Sequence, residues 1–189
     1  MTTDTEILLA LRSAGPAPVS GAELAQRLGI SRAAVWARIQ ELRRLGYDIV
    51  AKPHGGYRLV AVPDVLHADD LLSRLGPARV VGRDIRVFRE TTSTNDVAEK
   101  LARDGVREGV VVLAESQTRG RGRLGRAWLS PPGKGLWLSV LLRPSLRPQE
   151  ATKLTIVTAT AVARAIRDQT GLKAFLKWQI GRASCRERV

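Results

Sequence analysis

The sequence predicts an α+β protein built as an N-terminal winged helix-turn-helix followed by a mixed sheet with helices. Three observations carry this. Apolar residues recur at helical spacing three times before Gly46, two short strand-like runs flank a glycine turn just after it, and strand and helix patterns alternate from about residue 80 onward. A chain of 189 residues, 44% of them apolar, can bury one small core beside a larger one.

The first helical run is Ile7, Leu8 and Leu11, the second Leu24, Ala25 and Leu28, the third Val35, Ile39, Leu42 and Leu45. Ser20 with Glu23 three residues on has the form of a capping box, and Ser31 can accept from the first free N–H groups of the third helix. Gly29 relieves the tight corner between the second and third helices, which makes the third the reading helix of a helix-turn-helix. Residues 47–52 and 57–60 then read as two strands around Pro53, His54, Gly55 and Gly56, a wing. The first domain is expected to span 1–63, a linker with one helical segment 64–79, and a second domain 80–178. In the second domain, strands are expected at 85–90, 110–114, 136–142 and 173–178, helices at 95–102 and 150–169, and a polar arginine and glycine loop at 117–126.

Composition narrows the function. Cys185 is the lone cysteine, so no internal disulfide and no cysteine metal cluster can form. No apolar run approaches the roughly 20 residues of a membrane-spanning helix, and the first residues lack the basic then apolar order of a secretion signal. The expected location is the cytoplasm, without membrane contact. A net charge of +13, from 31 Lys and Arg against 18 Asp and Glu, suits polyanions or phosphate-bearing ligands.

Three constellations give that charge a place. Ser31, Arg32, Ala33 and Trp36 open the third helix, Arg38 and Arg43 lie farther along it, and Lys52 and His54 sit on the wing, an arrangement suited to a DNA major groove and its phosphates. The first domain holds 8 basic and 5 acidic residues, a balance of +3, so one copy should bind DNA weakly and a dimer is expected. A winged helix used only for protein contacts is the plainer alternative. The second constellation puts Arg119, Arg121, Arg123 and Arg126 among Gly120, Gly122 and Gly125. Its spacing satisfies GxGxxG, but Pro131, Pro132 and Gly133 stop the helix that a dinucleotide site needs next, and no GK[ST] is present. What remains is a cationic loop whose glycines permit close backbone approach and whose arginines can clamp phosphate oxygens. The third is Ser93, Thr94, Asn95 and Asp96 at a strand-to-helix junction, by itself no more than a helix cap.

With TTSTNDVA, AESQTRGRGRLGRAWLSPPGKGLWLSVLLRP and KW at 177–178, all behind SRAAVWARIQELRRLGYDIVAKPHGGYRL, the chain resembles the bifunctional biotin protein ligases that also repress biotin synthesis genes. The resemblance runs from about Thr5 to Trp178 and implies an incomplete biotin ligase catalytic domain of class II synthetase-like fold. It implies a biotin pocket of Ser93, Thr94, Asn95 and Gln117 with Arg121, Gly122 and Arg123. Gly120, Arg121, Gly122, Arg123, Gly125 and Arg126 would form the phosphate and adenylate loop, Arg121 and Arg123 acting in catalysis and Trp128 packing against it. The implied substrates are biotin and ATP, with Mg2+ accompanying the nucleotide and no metal held by protein side chains. The implied partners are the biotin carboxyl carrier domain of acetyl-CoA carboxylase, whose lysine accepts biotin, and operator DNA, gripped by a homodimer when ligand is bound. No side-chain nucleophile is needed, which leaves His54 and His67 incidental. Two rivals stand beside this reading: a ligand-sensing winged-helix regulator without ligase activity, and a lipoate ligase.

In that family KW is followed by PND, whereas here Gln179 stands in the place of the proline. Residues 179–189 resemble translated sequencing adapter and are expected to be non-native. The later lysine and C-terminal β-barrel of the family are then missing, and the chain as written is expected not to complete the reaction.

Overall fold

A computed structural model describes residues 2–52, 55–75, 80–122 and 125–176. Its first compact unit is Met1–Arg143 and its second Pro144–Val189.

Hydroxyls start the first three helices. Helix α1 (Thr3–Ser13) begins on Thr2, whose side chain accepts from the Thr5 N–H; α2 (Gly21–Leu28) begins on Ser20, which accepts from Ala22; α3 (Arg32–Arg44) begins on Ser31, which accepts from Ala34. Each bond satisfies an N–H that a helix N-terminus leaves open. Gly29 ends α2 in the left-handed region at φ 64°, the corner of the helix-turn-helix. Ile7, Leu8, Val35 and Ile39 are fully buried, with Leu11, Leu24, Leu42, Tyr47 and Ile49 completing the core. Each large side chain in it contributes about 1.5–3 kcal/mol. Burial, with Asp70 nearby, pushes the Tyr47 phenol up to about 12, so the ring stays neutral within this core.

The wing is an antiparallel pair, β1 (Asp48–Lys52) and β2 (Gly56–Ala61). Val19 extends it by exchanging two 2.8 Å backbone hydrogen bonds with Tyr57. That closeness requires Gly56, at φ 89°, because a Cβ there would lie 2.3 Å from the Val19 carbonyl oxygen.

The segment after the wing contains α4 (Ala68–Leu75), which docks on α1 through charged and hydroxyl groups. Thr2 and Thr5 donate to Asp69, Arg12 pairs with Asp70, and Arg74 reaches the other Asp70 oxygen at 2.9 Å. Just before α4, the Leu66 N–H donates to Glu115 at 2.6 Å.

The mixed sheet is organised around one long strand. β3 (Asp84–Thr91) runs parallel to β4 (Val110–Arg121), and α5 (Thr94–Arg103) connects them. On its other edge β4 takes β6 (Trp137–Val140) along Val111 to Ala114 and β5 (Ala127–Ser130) along Gln117 to Arg121, both antiparallel. Leu101 packs with Val110 and Val112, flanked by Phe88, Val97, Ala98 and Leu141. The loop expected at 117–126 is therefore corrected: its first half continues β4 as a strand. Cross-strand bonds to β5 offset the poor strand propensity of its glycines.

In the second unit a 3-10 turn, Pro148–Glu150, leads into α6 (Ala151–Thr170), which Gly171 ends at φ 71°. Lys153 and Arg147 bond the Glu150 carboxylate and hold its pKa below the ordinary value. The strand expected at 173–178 does not form over 173–176, where no neighbouring strand pairs with it and Phe175 is 88% exposed. Lys177, Trp178 and the tail at 179–189 lie outside the described residues. Among the described residues no helix is long and apolar enough to cross a membrane.

Candidate functional site

Two regions gather the residues singled out from the sequence. On the winged helix, Ser20, Gly21 and Ala22 from the start of α2, Arg32, Ala33 and Trp36 from α3, and Lys52 from the wing line one groove of about 720 Å³. Ser31 caps the α3 N-terminus beside it. Trp36 is 58% exposed, although an aromatic ring normally seeks cover. Arg38 is elsewhere. Two residues past Trp36, it lies about 200° around the helix, and its Nε donates to Asp4 Oδ1 at 2.7 Å while Nη2 donates to Asp4 Oδ2 at 2.5 Å. Asp4 raises the Arg38 pKa first through that hydrogen bonding and then through its charge. Arg43 donates through Nε and Nη2 to the Ile49 carbonyl, fastening α3 to β1. Arg38, expected to face DNA, is thus held in a structural pairing with Asp4, and His54 lies outside the described residues.

This difference sets opposite outcomes for two substitutions. Arg38→Ala is expected to destabilise the winged helix by about 1–3 kcal/mol, toward the low end because Arg38 is partly in water, since Asp4 is left buried without its partner. Trp36→Ala is expected to leave stability within about 0.5 kcal/mol and to weaken DNA binding. Urea unfolding and binding to fluorescent duplex DNA, run on both variants, check the pair.

The second region lies at the carboxyl ends of the parallel strands β3 and β4, where an α/β sheet opens toward ligands. Ser93, buried, caps α5 and accepts from the Asn95 N–H at 3.3 Å. From β4, Gln117 Oε1 accepts from the Thr94 N–H at 2.8 Å and from the Thr94 hydroxyl at 3.2 Å, while its Nε2 donates to Ser130 Oγ on β5 at 2.9 Å. From β6, the Ser139 hydroxyl donates to Asn95 Oδ1 at 2.6 Å and lies 2.9 Å from Thr94 Oγ1. Six polar side chains from four elements thus interlock, with Ser93, Thr94, Ser130 and Ser139 buried. Such a network is stable only if every buried group is paired, and it fixes the donors and acceptors it presents.

Ser130 and Ser139 were not singled out from the sequence. A serine in an apolar strand carries no periodic signal, although Ser130 sits in the W-x-SP stretch after the arginine loop.

Adjacent is an open cleft of about 570 Å³ lined by Asn95, Arg121, Gly122, Gly125 and Arg126. The structure therefore brings Ser93, Thr94, Asn95 and Gln117 into one network and Asn95, Arg121, Gly122, Gly125 and Arg126 around one cleft. Gly120 is buried where β4 meets β5, since a Cβ on it would lie 2.3 Å from the Trp128 carbonyl oxygen and 2.8 Å from Ser130 Oγ. The register of this pairing shifts between Gln117 and Gly120, a bulge of the kind that re-aims side chains beside active sites. The Gly122 N–H donates to the Arg126 carbonyl at 2.7 Å, closing the arginine hairpin. Trp128 is 58% exposed, and Arg123 lies outside the described residues. Among the described residues no group of three or more His, Cys, Asp or Glu side chains could hold a metal ion.

Comparison with known proteins gives these two regions their relatives. Residues 4–58 match an HTH domain, and residues 87–180 match the Biotin/lipoate A/B protein ligase family. The chain is 36% identical over 177 residues to the Bifunctional ligase/repressor BirA of Bacillus subtilis (strain 168), covering 94% of this chain and 54% of that protein. It is 36% identical over 160 residues to the protein of the same name from Escherichia coli (strain K12), covering 84% and 48%. Among solved structures, the biotin protein ligase from Aquifex aeolicus in complex with biotin and ATP is similar at 36% identity and a TM-score of 0.44, over 51% of this chain and 39% of that one. The chain thus spans about half the length of the curated relatives it matches.

Proposed function

We propose, from the match of residues 87–180 to the Biotin/lipoate A/B protein ligase family, that the chain is the DNA-reading and ligand-activating part of a cytoplasmic biotin protein ligase and repressor. The observation that carries this is the interlocked set of Ser93, Thr94, Asn95, Gln117, Ser130 and Ser139 beside a cleft lined by two arginines.

A bicyclic urea offers one carbonyl acceptor and two N–H donors, and each of these left unpaired on burial would cost about 1–3 kcal/mol. A slot of fixed hydroxyls and amides fits that demand. The ligand's carboxylate then projects toward the arginine cleft. There an oxygen of the carboxylate attacks the α-phosphorus of ATP, the bond to the pyrophosphate oxygen breaks, and biotinyl-adenylate and pyrophosphate result. In the second step the amine of an acceptor lysine, on a biotin carboxyl carrier domain, attacks the acyl carbon and AMP leaves. Arg121, Arg126 and, by its sequence position, Arg123 contribute charge aimed at the phosphate, and one such donor contributes roughly 3–4 kcal/mol to the barrier reduction. Magnesium would accompany the nucleotide and add positive charge at its phosphates, since among the described residues no group of three or more His, Cys, Asp or Glu side chains would hold it.

The winged helix supplies the second function. The groove of Arg32, Ala33, Trp36 and Lys52 reads operator DNA as one half of a homodimer, and the adenylate favours that dimer; by linkage, whatever favours the dimer tightens DNA binding. Pyrophosphate release on adding biotin and ATP to the full-length protein, read alongside operator binding with and without both substrates, tests the proposal. Release with ligand-tightened DNA binding is expected. No release would leave a regulator that only senses its ligand, and equal DNA affinity in both conditions would remove the corepressor role. Competition by lipoate in the same assay separates the two acids.

A further inference from the structure

Arg121, assigned above to the ligand phosphate, is already engaged. Its Nη2 lies 2.5 Å from Asp96 Oδ1 and 3.9 Å from Glu99 Oε2. Asp96 sits in the first turn of α5, directly after the cleft residue Asn95. Glu99 also pairs with Arg103 one turn on, so Asp96 is the principal partner. The pair is partly in water, with Arg121 55% and Asp96 38% exposed. A pair of that kind is weak, whereas a phosphate can take two N–H groups of a guanidinium at once.

We propose that Asp96 is a positioning residue, an internal counter-anion that parks Arg121 at the edge of the cleft until a phosphate-bearing ligand displaces its carboxylate. The proposal rests on the reading of this cleft as the adenylate site. While the carboxylate stays in place the cleft mouth has less positive charge, so small anions bind poorly. A ligand that also fills the polar slot has additional contacts with which to compete. Asp96 thereby sets selectivity for the complete ligand over bare phosphate or pyrophosphate. Asp96 also lies in the first turn of α5, where an acidic residue suits the positive end of the helix dipole.

The test is calorimetric titration of the chain with inorganic pyrophosphate, ATP and biotin at two salt concentrations, for wild type, Asp96→Asn, Asp96→Ser, Asp96→Glu and Glu99→Gln. Asp96→Asn and Asp96→Ser are expected to bind pyrophosphate about 2- to 5-fold more tightly, the scale set by freeing a partly exposed ion pair, and to lose that affinity more steeply with salt. Asp96→Glu should stay close to wild type, Glu99→Gln within about twofold, and biotin affinity should not move in any variant. A purely structural role for Asp96 would not tighten anion binding. Unchanged or weaker pyrophosphate binding in both Asp96→Asn and Asp96→Ser overturns the counter-anion alone. Absence of biotin and ATP binding in every variant overturns the functional reading and this proposal with it.

Discussion

With Gly120 replaced by alanine, biotin binding is expected to fall about 100-fold, the scale of a misplacement of about 1 Å. The new methyl group would stand 2.3 Å from the Trp128 carbonyl oxygen, 2.8 Å from Ser130 Oγ and 3.3 Å from Gln117 Nε2. Two of these atoms, Ser130 Oγ and Gln117 Nε2, are bonded to each other at 2.9 Å, so relief of the clash must separate β5 from β4 or turn Gln117. Either movement loosens the Gln117 contacts to Thr94 and leaves buried polar groups unpaired. The winged helix is not touched, so DNA binding of the ligand-free variant should match wild type. Equilibrium binding of labelled biotin and of duplex DNA, measured on the same preparation, checks both halves. Biotin affinity within threefold of wild type would show that the interlocked serines and glutamine are not the slot.

Replacing Arg121 and Arg123 together by alanine in the full-length protein is expected to lower pyrophosphate release by about 10²–10³-fold or more, the loss seen when a donor aimed at developing charge is removed. Biotin affinity should fall far less, because Ser93, Thr94, Asn95 and Gln117 keep their places without either arginine. The split between chemistry and binding distinguishes this from collapse of the hairpin, which would take both down together. Release at the wild-type rate would remove phosphate stabilisation from the roles of this segment.

The sequence shows local structure where the signal is itself local. Ser20, Ser31 and Gly29 mark helix ends because capping and the left-handed turn act within four residues, and the structure places caps at all three. The first half of the arginine loop is strand for the opposite reason. Residues 117–121 are strand because β5 pairs with them, and arginine and glycine composition says nothing of a partner six to thirteen residues away. The proline pair at 131–132 correctly argued against a helix yet gave no sign of the short strand ending at Ser130. Ser93, Thr94, Asn95 and Gln117, grouped at sequence level only by the family resemblance, come together in one hydrogen-bonded network. Ser139 became visible only once β6 was laid against β4. Charge in a reading helix suggests DNA, and the pairing of Arg38 with Asp4 follows instead from its angular position on α3, which emerges only from the fold.

The Leu66 N–H bound to Glu115 has an implication for recombining such proteins. Glu115 stands two residues before Gln117 on the same strand, hence on the same side of the sheet. A graft that exchanged only residues 1–63 would strip Asp69 and Asp70 of their partners on α1 while keeping the Glu115 tether. The natural seam for a chimera therefore falls after α4, and a foreign reader brought in with its own version of that helix must also offer Glu115 a backbone donor.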